Sequence, residues 1–84
     1  MSEADDQISD SIDLLVEIVE DNSVPRNIKA ICEKTKIILS KSNDIKVRIN
    51  EAIQNLDLIS DNAQVPTYTR MQIWNLVSLL ESIV

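Results

Sequence analysis

The chain contains no glycine, no histidine and no phenylalanine, and among its 84 residues it has two prolines, one cysteine, one tryptophan and one tyrosine. Each shortage removes a class of function. Without glycine there is no P-loop and no dinucleotide fingerprint, because both need backbone that approaches phosphate closely. Without histidine there is no Ser-His-Asp or Cys-His nucleophile pair and no histidine-ligated zinc. A single cysteine closes no internal disulfide and supplies no CxxC pair. No apolar run approaches the roughly 20 residues of a membrane span. The N-terminal Met1-Ser2-Glu3-Ala4-Asp5-Asp6 is acidic, unlike a signal or transit peptide. The expected location is the cytoplasm, whose reducing conditions suit an unpaired cysteine.

What is present is aliphatic: 13 Ile, 8 Leu and 7 Val, within a hydrophobic share of 44%. A chain of this size buries only about 60–65% of its unfolded surface. Its stability must therefore come from regular packing or self-association. The helix-breaking stretches are Asp21 to Pro25, Ser40 to Asp44 and Ser60 to Pro66. The four segments between them each show helical periodicity. Helices are expected over about 5–20, 25–40, 44–60 and 66–83, in one domain spanning 1–84. Their stripes are Ile8, Ile12, Leu15, Val19; Ile28, Ile31, Thr35, Ile38, Leu39; Ile45, Ile49, Ala52, Leu56, Ile59; and Ile73, Val77, Leu80, Val84. Leu14 and Ile18 widen the first. Ser2 with Asp5 could form a capping box. Pro25 and Pro66 suit first turns, where a missing N–H costs nothing, leaving Val24 and Val65 just outside. Asp21-Asn22-Ser23 and Asp61-Asn62 supply side chains that bond local backbone.

An internal repeat is visible. Ile18 to Asn22 resembles Leu58 to Asn62, Val24-Pro25 matches Val65-Pro66, and Lys29 and Leu39 match Arg70 and Leu80. A two-helix period near 40 is also that of HEAT solenoids, but these need at least three repeats. Two helical hairpins closing on each other bury more. The expected fold is all-α, a four-helix up-and-down antiparallel bundle built from two similar hairpins.

The residues Glu20-Asp21-Asn22, Val24 to Lys29, and Arg70 with Ile73 to Ile83 resemble Uncharacterised Protein Family 0147, a group of small archaeal proteins. The resemblance covers nearly the whole chain, and the segment around Trp74 is its most specific part. It implies a compact bundle with bromodomain-like topology in an archaeal cytoplasm. It implies no activity and no catalytic residues. Cys32 to Asn43 follows the family loosely.

Charge is segregated. Residues 1–21 carry eight acids and no bases, 22–48 seven bases and two acids, and 49–84 four acids and one base, within a net charge of −6. The plain expectation is that helix one and helix two pair their charges within the molecule, each surface pair worth at most ~1 kcal/mol. The alternative is a nucleic-acid-associated accessory role for a basic face of Arg26, Lys29, Lys34 and Lys36. That helix has no aromatic for stacking, and the net charge repels phosphate. The carboxylates Asp10, Asp13, Glu17, Glu20 and Asp21 are expected on a solvated face. Asp57, Asp61 and Asn62 lack the EF-hand spacing and its glycine. Cys32, one turn from Lys29 and Lys36, is expected to be a buried small hydrophobe. Trp74 is expected in a core or inter-helix contact, with a partner-facing role as the sharper option.

Met71, Trp74, Ile37, Val47 and Leu58 form the candidate partner surface, because they fall outside the core stripes. No catalytic residue, metal site or cofactor is expected, and no membrane or small-molecule partner. The reading is a non-enzymatic protein that binds a protein partner or a second copy of itself.

Overall fold

The computed structural model describes residues 3–42 and 44–83. It contains four helices: α1 (Glu3–Glu20), α2 (Arg26–Ser40), α3 (Ile45–Ser60) and α4 (Thr67–Glu81). Among the described residues there is no strand. Ser2 of the suggested capping box and Val84 of the fourth stripe lie outside the described residues. α2, α3 and α4 each begin one residue later than expected. Pro25, Asp44 and Pro66 sit at their N-caps with extended ψ of 149°, 132° and 150°. The proline ring fixes φ but leaves ψ free, so a proline can end the loop rather than start the helix.

Each helix packs on its neighbours in sequence and α4 returns onto α1, while the diagonal pairs α1–α3 and α2–α4 have no Cα atoms within 8 Å of each other. The Cα extents are 35 × 20 × 17 Å. The short dimensions fit a two-by-two array of helices spaced about 8–10 Å apart. The core inside this ring is aliphatic, with Leu15, Ile18, Ile28, Leu39, Ile49, Leu56, Ile59, Ile73, Leu76 and Leu80 all buried. Each such side chain contributes about 1.5–3 kcal/mol. Ile18 is fully buried, whereas Ile12 and Val19 of the expected stripe are half-buried; the inward face of α1 runs through Ile8, Ser11, Leu15 and Ile18. In α2 the inward position is Cys32 and Ile31 flanks it. In α4 it is Leu76, with Val77 at the flank.

The two loops after α1 and α3 have the same construction. The N–H of Asp21 donates to the Ile18 carbonyl (3.2 Å) and that of Val24 to the Asp21 carbonyl (3.2 Å). Forty-one residues later, Asn62 donates to Ile59 (3.1 Å) and Val65 to Asn62 (3.1 Å). Asp21 Oδ1 accepts from the Ser23 N–H at 2.9 Å, and Asn62 Oδ1 from the Gln64 N–H at 2.8 Å. These are Asx turns, in which a side chain takes the place of a backbone acceptor. They let the chain reverse without glycine, and no described residue has a positive φ. Val24 and Val65, each 4% exposed, plug the two loops into the core. The structural repeat is thus 41 throughout. The apparent match of Ile18 to Leu58 is one residue out of register: Ile18 corresponds to Ile59, while Leu58 is exposed. The shared Asp-Asn dipeptide misleads because the turn-forming residue is its first member in one loop and its second in the other.

The α2–α3 connection is closed differently. Asp44 accepts from the Lys46 N–H at 2.8 Å as a side-chain cap, and Arg48 Nη1 donates to the Leu39 carbonyl at 3.0 Å. A cation on the last carbonyls of a helix answers both their unmet hydrogen bonds and the helix dipole.

Candidate functional site

The outward surface divides by chemistry. On α1, Asp6, Asp10, Asp13 and Glu17 recur at steps of four, three and four residues and are all exposed. On α2, Arg26 and Lys34 are exposed, while Lys29 and Lys36 are half-buried. At about 100° per residue, Lys29 and Lys36 fall on one flank of Ile37 and Lys34 and Lys41 on the other. The basic residues therefore surround an apolar centre and do not form one stripe.

The expected pairing of α1 with α2 is not what joins the charges. Among the described residues the ion pair is Lys36 Nζ to Glu33 Oε1 at 2.8 Å, inside α2. The acidic stripe of α1, Asp6, Asp10, Asp13 and Glu17, is exposed to solvent. Asp21, just past the end of α1, is held by the turn that follows it. The Ser23 hydroxyl and then the Ser23 N–H hold its carboxyl below the ordinary 3.8, with a smaller contribution from Lys29. Asp21 is one of the flagged carboxylates, and its role is in the turn. Among the described residues no cluster of three or more His, Cys, Asp or Glu is arranged to hold a metal ion.

Cys32 is fully buried, and burial pushes its thiol up to about 11. Lys29 and Lys36 do not activate it, because desolvation of the thiolate dominates.

Trp74 is 56% exposed and so lies outside the core. The inward face of α4 runs through Thr69, Gln72, Ile73, Leu76 and Leu80, which places Met71 and Trp74 on the opposite side. Leu58 is 74% exposed, and Ile37 and Val47 are also exposed. Tyr68, not singled out in the sequence, is exposed too; its spacing of three residues from Met71 was the available signal. A shallow open depression lined by Gln54, Asn55, Asp57 and Leu58 lies on α3.

α4 also carries polar groups inward. Thr69 and Gln72 are buried, and Thr69 Oγ1 and Gln72 Oε1 have no hydrogen-bond partner. The other buried hydroxyls are satisfied: Ser11 donates to the Gln7 carbonyl (2.8 Å) and Thr35 to that of Ile31 (2.7 Å). α3 also holds buried polar atoms without a partner, Arg48 Nε and Asn55 Nδ2, but α4 is the helix that turns such residues into the core and carries aromatic side chains outside.

The model of an uncharacterised protein family, UPF0147, matches residues 1–83. The chain belongs to that family. A UPF0147 protein of Methanocaldococcus jannaschii is 45% identical over 83% of this chain and 76% of its own length. One from Sulfurisphaera tokodaii is 41% identical over 92% and 88%, and one from Pyrococcus abyssi 35% identical over 99% of both. A crystallised protein of unknown function superposes with a TM-score of 0.90 at 44% identity, covering 99% of this chain and 94% of that one. The UPF0147 relatives are archaeal and uncharacterised. No described helix of this UPF0147 chain is long and apolar enough to cross a membrane.

Proposed function

We propose that this UPF0147 protein is a non-catalytic interaction protein of the cytoplasm. It is an up-and-down antiparallel bundle of two helical hairpins, with the bromodomain-like topology that the family resemblance implies. The outer face of its second half is the part that meets a protein partner. The observation carrying this reading is the exposure of Val47, Leu58, Tyr68, Met71 and Trp74, five of the six exposed large hydrophobics among the described residues. Scattered apolar residues on a surface are ordinary, but an aromatic and methionine set on one helix face has the composition of an interface core. Short connections favour antiparallel neighbours. The nucleic-acid reading of α2 has less support, because its basic residues are divided and Lys36 is engaged with Glu33.

The test is light scattering over a concentration series, together with pull-downs from native lysate using the intact protein and Trp74→Glu. Association or a retained protein that is lost in the variant supports the reading. A strict monomer that retains nothing refutes it.

A further inference from the structure

α4 exposes Met71 and Trp74, and one of the two helices beside it in the ring is α1, whose outward stripe is acidic. The surface across α4 and α1 is therefore an apolar strip with a carboxylate border. Its complement is a helix with an apolar centre bordered by cations, and the chain itself carries one. The outer face of α2 has Ile37, 53% exposed, with Arg26, Lys34 and Lys41 exposed around it. Glu33, the only acid in α2, is tied up by Lys36. Spacing agrees as well: Lys34 and Lys41, the C-cap of α2, are seven residues apart, as are Asp10 and Glu17, about 10 Å along a helix. A molecule cannot cover its own α4 with its own α2, because the two lie on a diagonal of the ring and both faces are turned outward. A second molecule can.

Building on the reading that the second half binds protein, we infer that the occupant is a second copy of this chain. The outer face of α2 in one molecule docks across α4 and α1 of another, with Ile37 against Met71 and Trp74 and with Lys34 and Lys41 against Asp10 and Glu17. The apolar centre supplies the affinity, and the charged border sets register and encounter rate. The two faces differ, so the contact is heterologous and builds a ring or an open chain of copies. The net charge of −6 opposes any association of like molecules at long range. At physiological salt that repulsion is screened beyond about 8 Å, while contacts at the border are screened less.

The experiment is sedimentation velocity of the intact protein over a concentration series at low and high salt, with two charge-reversed variants, Lys34→Glu/Lys41→Glu and Asp10→Lys/Glu17→Lys. All four positions are exposed, and circular dichroism and melting confirm that the variants fold. The wild type is expected to gain mass with concentration, and to need about tenfold more protein for the same mass at high salt. Each variant alone stays monomeric, and an equimolar mixture of the two associates, because each then offers the face the other lacks. A wild type that is monomeric throughout overturns the second-copy assignment; whether the protein binds other proteins is then decided separately by Trp74-dependent retention. Association that survives both charge reversals but is lost in Trp74→Glu also overturns it, since the copies would then meet through α4 alone. A mixture that fails to associate when the wild type does overturns it too.

Discussion

The first half of the molecule, α1 and α2, and the second half, α3 and α4, agree on the inside and differ on the outside. Of the ten buried residues in the first half, nine fall on buried residues when shifted by 41, all except Ile38. Leu15 falls on Leu56, Ile18 on Ile59, Val24 on Val65 and Leu39 on Leu80. The outward positions change character under the same shift. Asp6 falls on Val47, Glu17 on Leu58, Ala30 on Met71 and Glu33 on Trp74. Two halves packed on one core must supply similar inward shapes, so packing holds the inner set alike. Nothing in the packing requires the outer sets to differ, and it is there that the second half becomes apolar.

Equivalent core truncations should give the largest effects. Leu15→Ala and Leu56→Ala are each expected to destabilise by about 3 kcal/mol, a large part of what a small domain has. Chemical denaturation measures both, and a gap between them of several kcal/mol would break the equivalence. Next comes the interior difference. Thr69 stands where the first half has Ile28, and its hydroxyl is unpaired. Thr69→Val should stabilise by about 1 kcal/mol, because a buried group without a partner is removed. Thr35→Val removes a hydroxyl that is bonded, and should be neutral or cost about 0.5–1 kcal/mol. Equal melting shifts from the two would argue that Thr69 is satisfied in solution.

Exchanging outer residues for their counterparts, Leu58→Glu and Trp74→Glu, should alter stability by less than about 0.5 kcal/mol, and Trp74→Glu, at the docking face of α4, should also abolish association. If both variants melt far below the wild type, those side chains belong to the fold and not to a docking surface. The smallest effect concerns the two Asx turns. The Asp21 carboxyl is held below 3.8 in the folded chain. Its stabilisation is therefore fully present above 3.8 and is lost as the pH falls through the lower folded value. Asn62 does not titrate. Asp21→Asn makes the turns alike and should remove this acid-side dependence, leaving stability at neutral pH little changed. An unaltered stability curve at low pH would mean that the turn in the wild type does not respond to protonation.

Much of the helical layout was legible because helices need a 3.6-residue apolar period and breaks need Asp, Asn, Ser or Pro. Both signals were plain in a chain without glycine. Less legible was which residue of a broad apolar face points inward. α1 has apolar residues at 8, 12, 14, 15, 16, 18 and 19, and a small rotation of the helix exchanges Val19 for Ile18. For Trp74 the sequence left both a core or inter-helix contact and a partner-facing place open, because size and hydrophobicity favour burial while α4 turns Thr69 and Gln72 inward against their polarity. The charge pattern identified an acidic and a basic helix correctly but not their use, since ion pairing depends on which flank of each helix faces the other.

By itself the sequence determined the four helices, their breaks and the aliphatic character of the core, because these follow from local periodicity, proline and the turn-forming side chains. It also determined that the chain carries opposite charge on its first two helices. The tertiary structure alone decided the register of the repeat, the inward rotation of each helix, and the placing of acidic α1 beside the outward aromatic face of α4. Those depend on how four cylinders share one interior, which no single segment encodes.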